Sequence, residues 1–273
     1  MTVHKDAPAT RGDALITVDD VSIGYSGKVA VEKVDLSVHP GEFVSIIGPS
    51  GCGKSTLLHL LSGLNEPLRG AVSVRGIDST GSMGSALKVG YVFQDHRLLP
   101  WRTVAQNLDI AMKNAGVPQG EWAGRRSRYL SLLHVADHEA SFPLRLSGGQ
   151  RQRVSIARAM AVSPDVVLMD EPFSGLDEVT ARSIRRELDG SRTAEDPATV
   201  FVTHSIREAL YLSDRVIMLS RGPAHVLREI VVDLPRPRAY DDATIVDLER
   251  TIVDEVLEQW EVQPDRAPVR RAS

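Results

Sequence analysis

The chain has 273 residues, 42% of them hydrophobic and 25% charged, a balance that suits a folded protein with a sizeable core and excludes a largely disordered one. Its formal net charge of -4 offers no basic footprint for nucleic acid, so no nucleic-acid partner is expected. The lone Cys52 excludes an internal disulfide and points to a reducing compartment; no stretch has the roughly 18 apolar residues of a membrane span, and residues 1–13 lack the apolar core of a signal peptide.

Residues 1–13 are polar and are expected to form a flexible tail. Leu15–Val18, Val34–Val38 and Phe43–Ile47 are β-branched or alternating runs divided by Gly, Asp and Pro, which predicts strands joined by turns. A glycine-rich segment, Gly48–Ser55, follows, and Leu57, Leu58, Leu60, Leu61 and Leu64 then recur at helical spacing. Ala71–Arg75 and Val89–Phe93 predict further strands. From Thr103 to about Ala161 the pattern turns helical, with Gly116 and Pro118 separating the first helix from the second. Val166–Met169 and Val200–Thr203 are short apolar runs of the kind buried on both faces of a parallel sheet, and Glu178–Leu188 is the crossover helix between them. Arg215–Ser220 and His225–Val232 predict an edge hairpin. Beyond Pro235-Arg236-Pro237-Arg238, the segment Ile245–Trp260 places Leu248, Ile252, Val256, Leu257 and Trp260 on one helical face.

The strongest chemical signal is Gly48-Pro49-Ser50-Gly51-Cys52-Gly53-Lys54-Ser55-Thr56, a full G-x-x-x-x-G-K-[ST] between a predicted strand and a predicted helix. Its glycines let backbone N–H groups curl around phosphates, and the helix N-terminus adds positive partial charge. Lys54 is expected to reach the β- and γ-phosphates of ATP, and the Ser55 hydroxyl to enter a Mg²⁺ shell. Cys52, inside this loop, is expected to make nucleotide binding sensitive to thiol alkylation. The buried run Val166–Met169 ends in Asp170 and Glu171, at the end of the strand where an α/β sheet opens its crevice. Asp170 is assigned to Mg²⁺, and Glu171 to the attacking water as general base. Leu146-Ser147-Gly148-Gly149-Gln150 opens another helix, with Ser147 as N-cap and free N–H groups able to receive a second anion. Arg151, Arg153 and Arg158 on that helix are expected to be solvated or ion-paired.

Taken together, these motifs resemble those of ABC-type nucleotide-binding subunits over about residues 14–235. Gly48–Thr56 resembles the family's phosphate loop, Leu146–Gln150 its signature sequence, Val166–Glu171 its magnesium strand and catalytic carboxylate. Ser174-Gly175-Leu176-Asp177 resembles the loop that communicates between two ATP sites. Gln94 falls where the family has a sensing glutamine that also approaches the metal; His204 matches the switch histidine on the γ-phosphate, and Tyr25 the aromatic that stacks on adenine. The resemblance implies an α/β P-loop NTPase core of the RecA-like kind, with an antiparallel β subdomain and a helical subdomain inserted at about 96–162. Residues 236–273 are expected to form a helical extension and tail. It further implies ATP and Mg²⁺ as cofactors and a head-to-tail pair of copies, each ATP lying between Gly48–Thr56 of one and Ser147–Gln150 of the other.

Two function classes fit such a cassette: a transporter motor, and a soluble ABC protein of DNA repair or translation. The second usually carries tandem cassettes, zinc modules, long coiled-coil insertions or a basic surface, and none is visible here. Asp95-His96-Arg97-Leu98-Leu99-Pro100-Trp101 resembles the groove where import cassettes receive a helix from a membrane subunit. Phe93 through Asn107, with Leu234–Arg238, resembles the nitrate, sulfonate and taurine import group. That resemblance implies two permease subunits, a solute-binding protein, and a peripheral place on the cytoplasmic face of the membrane.

Overall fold

The computed structural model describes residues 14–25, 27–78, 87–190 and 196–261, with side chains through Val256. The tail expected at 1–13 and the end of the chain from 262 lie outside the described residues, as do the side chains of Leu257 and Trp260.

Two sheets enclose one helix. The first is antiparallel and joins β1 (Ile16–Tyr25), β2 (Lys28–Val38), β4 (Arg69–Val74) and β5 (Ile77–Asp78) in the order β2-β1-β4-β5. The second contains β3 (Phe43–Ile47), β6 (Val89–Val92), β7 (Val166–Asp170), β8 (Ala198–Val202), β9 (Arg215–Leu219) and β10 (Val226–Val231) in the order β10-β9-β3-β8-β7-β6. All its pairings are parallel except that of β10, which closes one edge antiparallel to β9. Every residue of β3, β7 and β8 is buried, as the unbroken apolar runs require of strands covered on both faces.

Helix α1 (Lys54–Leu61) runs between the two sheets, and burial of Leu57, Leu58, Leu60 and Leu61 on all sides of it explains why it is apolar all round. The opposite face of the parallel sheet is covered by a helical layer, α2 (Val104–Asn114), α3 (Trp122–Leu132) and α4 (Gly148–Ala161), and by α5 (Glu178–Gly190), α6 (Ile206–Leu212) and α7 (Ala243–Glu261). Gly116, at φ 70, sits just past the end of α2, where the sequence predicts the break. Helix α5 makes the crossover from β7 to its parallel neighbour β8.

Strands β1 and β2 are longer than their sequence predicts. Their pairing shifts register between Val18 and Val21, again before Ile23 and before Gly24, and Asp20 turns to φ 47. Such bulges add residues to one strand and destroy the period-2 pattern that sequence reading depends on. They also carry β1 as far as Tyr25.

Helix α7 buries Ile245, Ile252 and Val256 in the same core as α6 and β9. The segment before it is held by two arginines. Arg236 bonds Asp189, the Leu212 carbonyl and Asp214. Arg238, 8% exposed, donates to the carbonyls of Leu210, Tyr211, Ser213, Val232 and Leu234. The last carbonyls of α6, which a helix leaves without intrahelical partners, are thus met by a cation.

Candidate nucleotide site

Strand β3 is the point at which the strand order reverses. The chain leaves it for β6 at the far edge, returns through β7 and β8, then crosses to β9 on its other side. Open α/β sheets bind ligands outside the carboxyl ends of strands at such a point. The carboxyl ends of β3, β7 and β8 carry Gly48–Thr56, Asp170-Glu171 and Thr203-His204.

Gly48–Thr56 turns directly from β3 into α1. Gly53 is the N-cap of the helix at φ 112, and a Cβ there would lie 2.5 Å from Val31 Cγ2 on β2, so only glycine fits. Gly51, also left-handed at φ 75, faces open space, and Ser50 is exposed beside it. Lys54 is 7% exposed, and its ammonium donates to the carbonyls of Gly48 and Pro49 at 2.8 Å each. Thr56 is buried in the first turn of α1. The loop thus combines a glycine-rich backbone, a helix N-terminus and a cation, a donor set suited to phosphate. Cys52 overturns one expectation. It is 2% exposed, and burial pushes its thiol pKa up, with Lys54 pulling the other way, so access and reactivity toward an alkylating agent are both reduced.

Asp170 ends β7 at 5% exposure and accepts a hydrogen bond from the Ser55 hydroxyl. Burial pushes its carboxyl upward; Ser55, His59 and Lys54 oppose the rise and Glu171 adds to it. A hard divalent cation beside this carboxylate and hydroxyl would offset the cost of burying the charge, so the pair fits Mg²⁺. Among the described residues no three His, Cys, Asp or Glu side chains cluster to hold a metal. Glu171 has a left-handed backbone at φ 48, and its N–H donates to the Val202 carbonyl at 3.0 Å. This strained conformation, rare outside glycine, turns its partly exposed carboxylate to within 3.8 Å of His204 Nδ1. Gln94 lies exposed two residues past β6, at the same end of the sheet as Asp170, since Val92 pairs with Met169.

Tyr25, at the end of β1, is 50% exposed; its hydroxyl lies 3.2 Å from His59 Nδ1 on α1 and accepts from Asn65 Nδ2 at 2.6 Å. An anchored edge with half the ring open can serve as a stacking platform.

The structure does not bring Ser147, Gly148, Gly149 and Gln150 to this cluster through any contact among the described residues. They start α4 in the helical layer. Ser147 Oγ accepts from the Gln150 N–H at 3.2 Å, the Gln150 side chain accepts from the Ser147 N–H at 2.8 Å, and the Gln150 amide reaches His138. Ser147 and Gly148 remain exposed. Behind them, a Cβ on Gly149 would lie 3.3 Å from Leu176 and 3.4 Å from the Gly175 carbonyl, which places the Ser174–Asp177 loop against the start of α4. Asp177 caps α5, accepting from the Thr180 N–H at 2.9 Å, and these hydrogen bonds hold its exposed carboxyl below the usual range.

Arg151, Arg153 and Arg158 are partly exposed on α4. They donate to carbonyls: Arg151 to Leu146, Arg153 to Leu133 and His134, and Arg158 to His96 and Arg97. Loops lying beside α4 leave carbonyls unmet, and a forked cation on the helix satisfies several at once. His96 also donates to the Gly148 carbonyl at 3.1 Å, so the segment after Gln94 is fixed to α4 near both ends of that helix. Sequence reading missed Gln152, 2% exposed, which donates to the Pro172 carbonyl beside Glu171 at 2.9 Å. It also missed Thr203 and Glu208 around His204, although Ser205 and Glu208 have the S-x-x-E spacing of a helix start.

A phosphate loop at the switch point of a parallel sheet, with carboxylates at the end of the strand two places away, defines a P-loop nucleotide-binding ATPase. Comparison with known proteins narrows this class. The family model described as ABC transporter matches residues 31–174. The aliphatic sulfonates import ATP-binding protein SsuB 1 of Rhodococcus jostii is 40% identical over 257 residues, 92% of this chain and 96% of the relative. The SsuB protein of Albidiferax ferrireducens is 37% identical over 262 residues, 95% and 89% respectively. Among solved structures, a dimeric post-hydrolysis state of the ATP-binding cassette MJ0796 bound to ADP and Pi superposes with a TM-score of 0.72 at 30% identity, covering 81% of this chain and 100% of that one. The chain belongs to the ABC transporter family and is one of its ATP-binding, ATP-hydrolysing subunits.

Proposed function

We propose that this subunit drives import of a small solute of the nitrate, sulfonate or taurine kind. Two copies work beneath two permease subunits at the cytoplasmic face of the membrane, with a solute-binding protein delivering cargo from the other side. The division of labour along the chain is part of the proposal: an ATPase unit over 14–235 with its helical layer at about 96–162, and an extension from 236. Among the described residues no helix is long and apolar enough to cross a membrane; contact with the bilayer then belongs to the permease. Sulfonate-import relatives matching nearly the whole chain support the solute class.

In the chemistry we propose, Gly48–Thr56 wraps the phosphates, Lys54 holds the β- and γ-phosphates, and Tyr25 stacks on adenine. Ser55, Asp170 and Gln94 would hold Mg²⁺, which supplies charge neutralisation on the phosphates. Glu171 accepts a proton from the attacking water, and His204 contacts the γ-phosphate. Ser147–Gln150 and Asp177 of a second copy close over the nucleotide, so that ATP joins the pair and hydrolysis releases it.

The observation that carries the transport reading is the loop leading from Gln94 to α2. Leu98 turns inward to the core, but Trp101 is left 69% exposed, with Phe142 and Leu144 also exposed on the neighbouring loop at 42% and 81%. The loops are joined where the Val104 N–H donates to the Ser141 carbonyl. Exposure is not looseness. Asn107, 2% exposed, accepts from the Leu99 N–H and donates to the carbonyls of Leu99, Arg102 and Thr103. A rigid loop presenting tryptophan to solvent, with a second apolar loop beside it, has the character of a protein-binding surface. Trp101→Ser should leave ATP binding and basal hydrolysis by the isolated subunit unchanged, while solute-stimulated hydrolysis with the reconstituted permease falls by about tenfold or more, as loss of an aromatic anchor predicts. Unaltered assembly and uptake in this variant would reject the docking surface.

A further inference from the structure

His204 projects from the loop between β8 and α6 with its side chain 67% exposed, yet the backbone on either side of it is fixed. Thr203 is 2% exposed, and its hydroxyl accepts from the Ser205 N–H at 3.0 Å, closing a side-chain turn whose central residue is His204. The same hydroxyl donates to Glu208 Oε2 at 2.7 Å. Glu208 is anchored a second time, its N–H donating to the Ser205 hydroxyl at 3.2 Å. Its other carboxylate oxygen takes Arg185 Nη1 at 2.5 Å, and Arg185, 2% exposed on α5, reaches Glu178 with Nη2 at 2.6 Å. Glu178 follows Asp177 directly. The Tyr240 ring covers the guanidinium at 4.6 Å.

The order of donors and acceptors in this chain is fixed by charge. A hydroxyl has one proton, and an ionised carboxylate can only accept. With Glu208 paired to Arg185, the Thr203 hydroxyl donates to Glu208, and one of its two lone pairs takes the Ser205 N–H. The turn around His204 is thereby linked, through Thr203 and Glu208, to a cation on a different helix. Packing alone does not demand this arrangement, since Ser205 would cap α6 without Thr203 or Arg185.

We propose that Thr203, Glu208 and Arg185 form a positioning relay that sets the His204 imidazole relative to Glu171 and ties it to the start of α5 beside Asp177. The inference rests on the reading of His204 as the γ-phosphate contact. The three residues touch no reacting atom; they act through His204.

Thr203 allows a clean test, because Val keeps its shape and loses the hydroxyl, whereas Ser keeps the hydroxyl and loses the methyl. Steady-state phosphate release by the full-length chain gives kcat and KM for MgATP, and a fluorescent ATP analogue reports binding independently. Thr203→Val should lower kcat by about tenfold, with KM and analogue affinity within about twofold of the parent, the size expected for one hydrogen bond to a charged group. Thr203→Ser should restore turnover to near the parent level. Glu208→Gln should lower kcat similarly, and combining it with Thr203→Val should cost less than the product of the two effects, since both break the same link. A Thr203→Val protein that turns over normally, a Thr203→Ser protein as damaged as Thr203→Val, or a silent Glu208→Gln would each overturn the relay. His204→Ala separates the levels: a loss of kcat there beside a normal Thr203→Val sinks the relay alone, whereas full activity in His204→Ala removes the role of His204 and the relay with it.

Discussion

Glu171→Gln is expected to lower ATP turnover by at least about 100-fold, the low end of what a positioned general base contributes, while ATP affinity stays close to that of the parent protein. The structure separates the two properties. The proposed binding groups sit on the Gly48–Thr56 loop and on the Ser55–Asp170 pair, all of which the substitution leaves in place. The carboxylate instead depends on the left-handed backbone at Glu171 and faces His204 at 3.8 Å. Glutamine has the same size and keeps an acceptor, but it cannot take a proton from water. Phosphate release under saturating MgATP, set beside fluorescent-nucleotide titration, checks both halves. Near-normal hydrolysis would assign the base elsewhere; a matching loss of affinity would make Glu171 a binding group.

Arg238→Ala is expected to destabilise the folded chain by about 3 kcal/mol or more, because each buried carbonyl left without a donor costs about 1–3 kcal/mol. The guanidinium is 8% exposed and serves carbonyls of Leu210, Tyr211, Ser213, Val232 and Leu234, so one side chain joins the end of α6 to the segment that leads into α7. Lysine should recover only part of the loss, since an ammonium lacks the planar fork that reaches several acceptors at once. Urea denaturation with an unchanged m-value would show the effect as a lower midpoint. A change under about 0.5 kcal/mol, the ordinary range for a surface substitution, would mean that water replaces the guanidinium without cost.

What could be read in advance depended on how local each feature was. The phosphate loop is nine consecutive residues in a pattern whose chemistry is local, and its position between a buried strand and an apolar helix was visible in Phe43–Ile47 and Leu57–Leu61. Asp170 and Glu171 were legible for the same reason, as carboxylates ending an unbroken apolar run. Strand β1 was not, since bulges beyond Val18 interrupt the alternation that marks a strand. The partners of Arg158, Arg238 and Arg185 were hidden for a different cause. Backbone carbonyls leave no trace in sequence, and Glu208 lies 23 residues from Arg185, on another helix. Cys52 shows that position in a motif does not give exposure: the thiol lies against Gly48, buried in the core that includes Leu219.

We propose that ATP joins two copies of this chain, bridging Gly48–Thr56 of one and Ser147–Gln150 of the other. Within one copy Ser147 and Gly148 stand exposed at the start of α4, bonded into the helical layer, while the phosphate loop lies at the end of β3. A solved relative with ADP and Pi is itself dimeric. Sedimentation velocity of the Glu171→Gln protein over a range of concentrations, with MgATP and separately with MgADP, separates an ATP-bridged pair from a monomer. A dimer in ATP and a monomer in ADP are expected, with Lys54→Ala or Ser147→Arg in the same background returning the ATP sample to monomer. A protein that binds ATP yet stays monomeric at every concentration, or one whose ATP dimer survives Ser147→Arg, would contradict it.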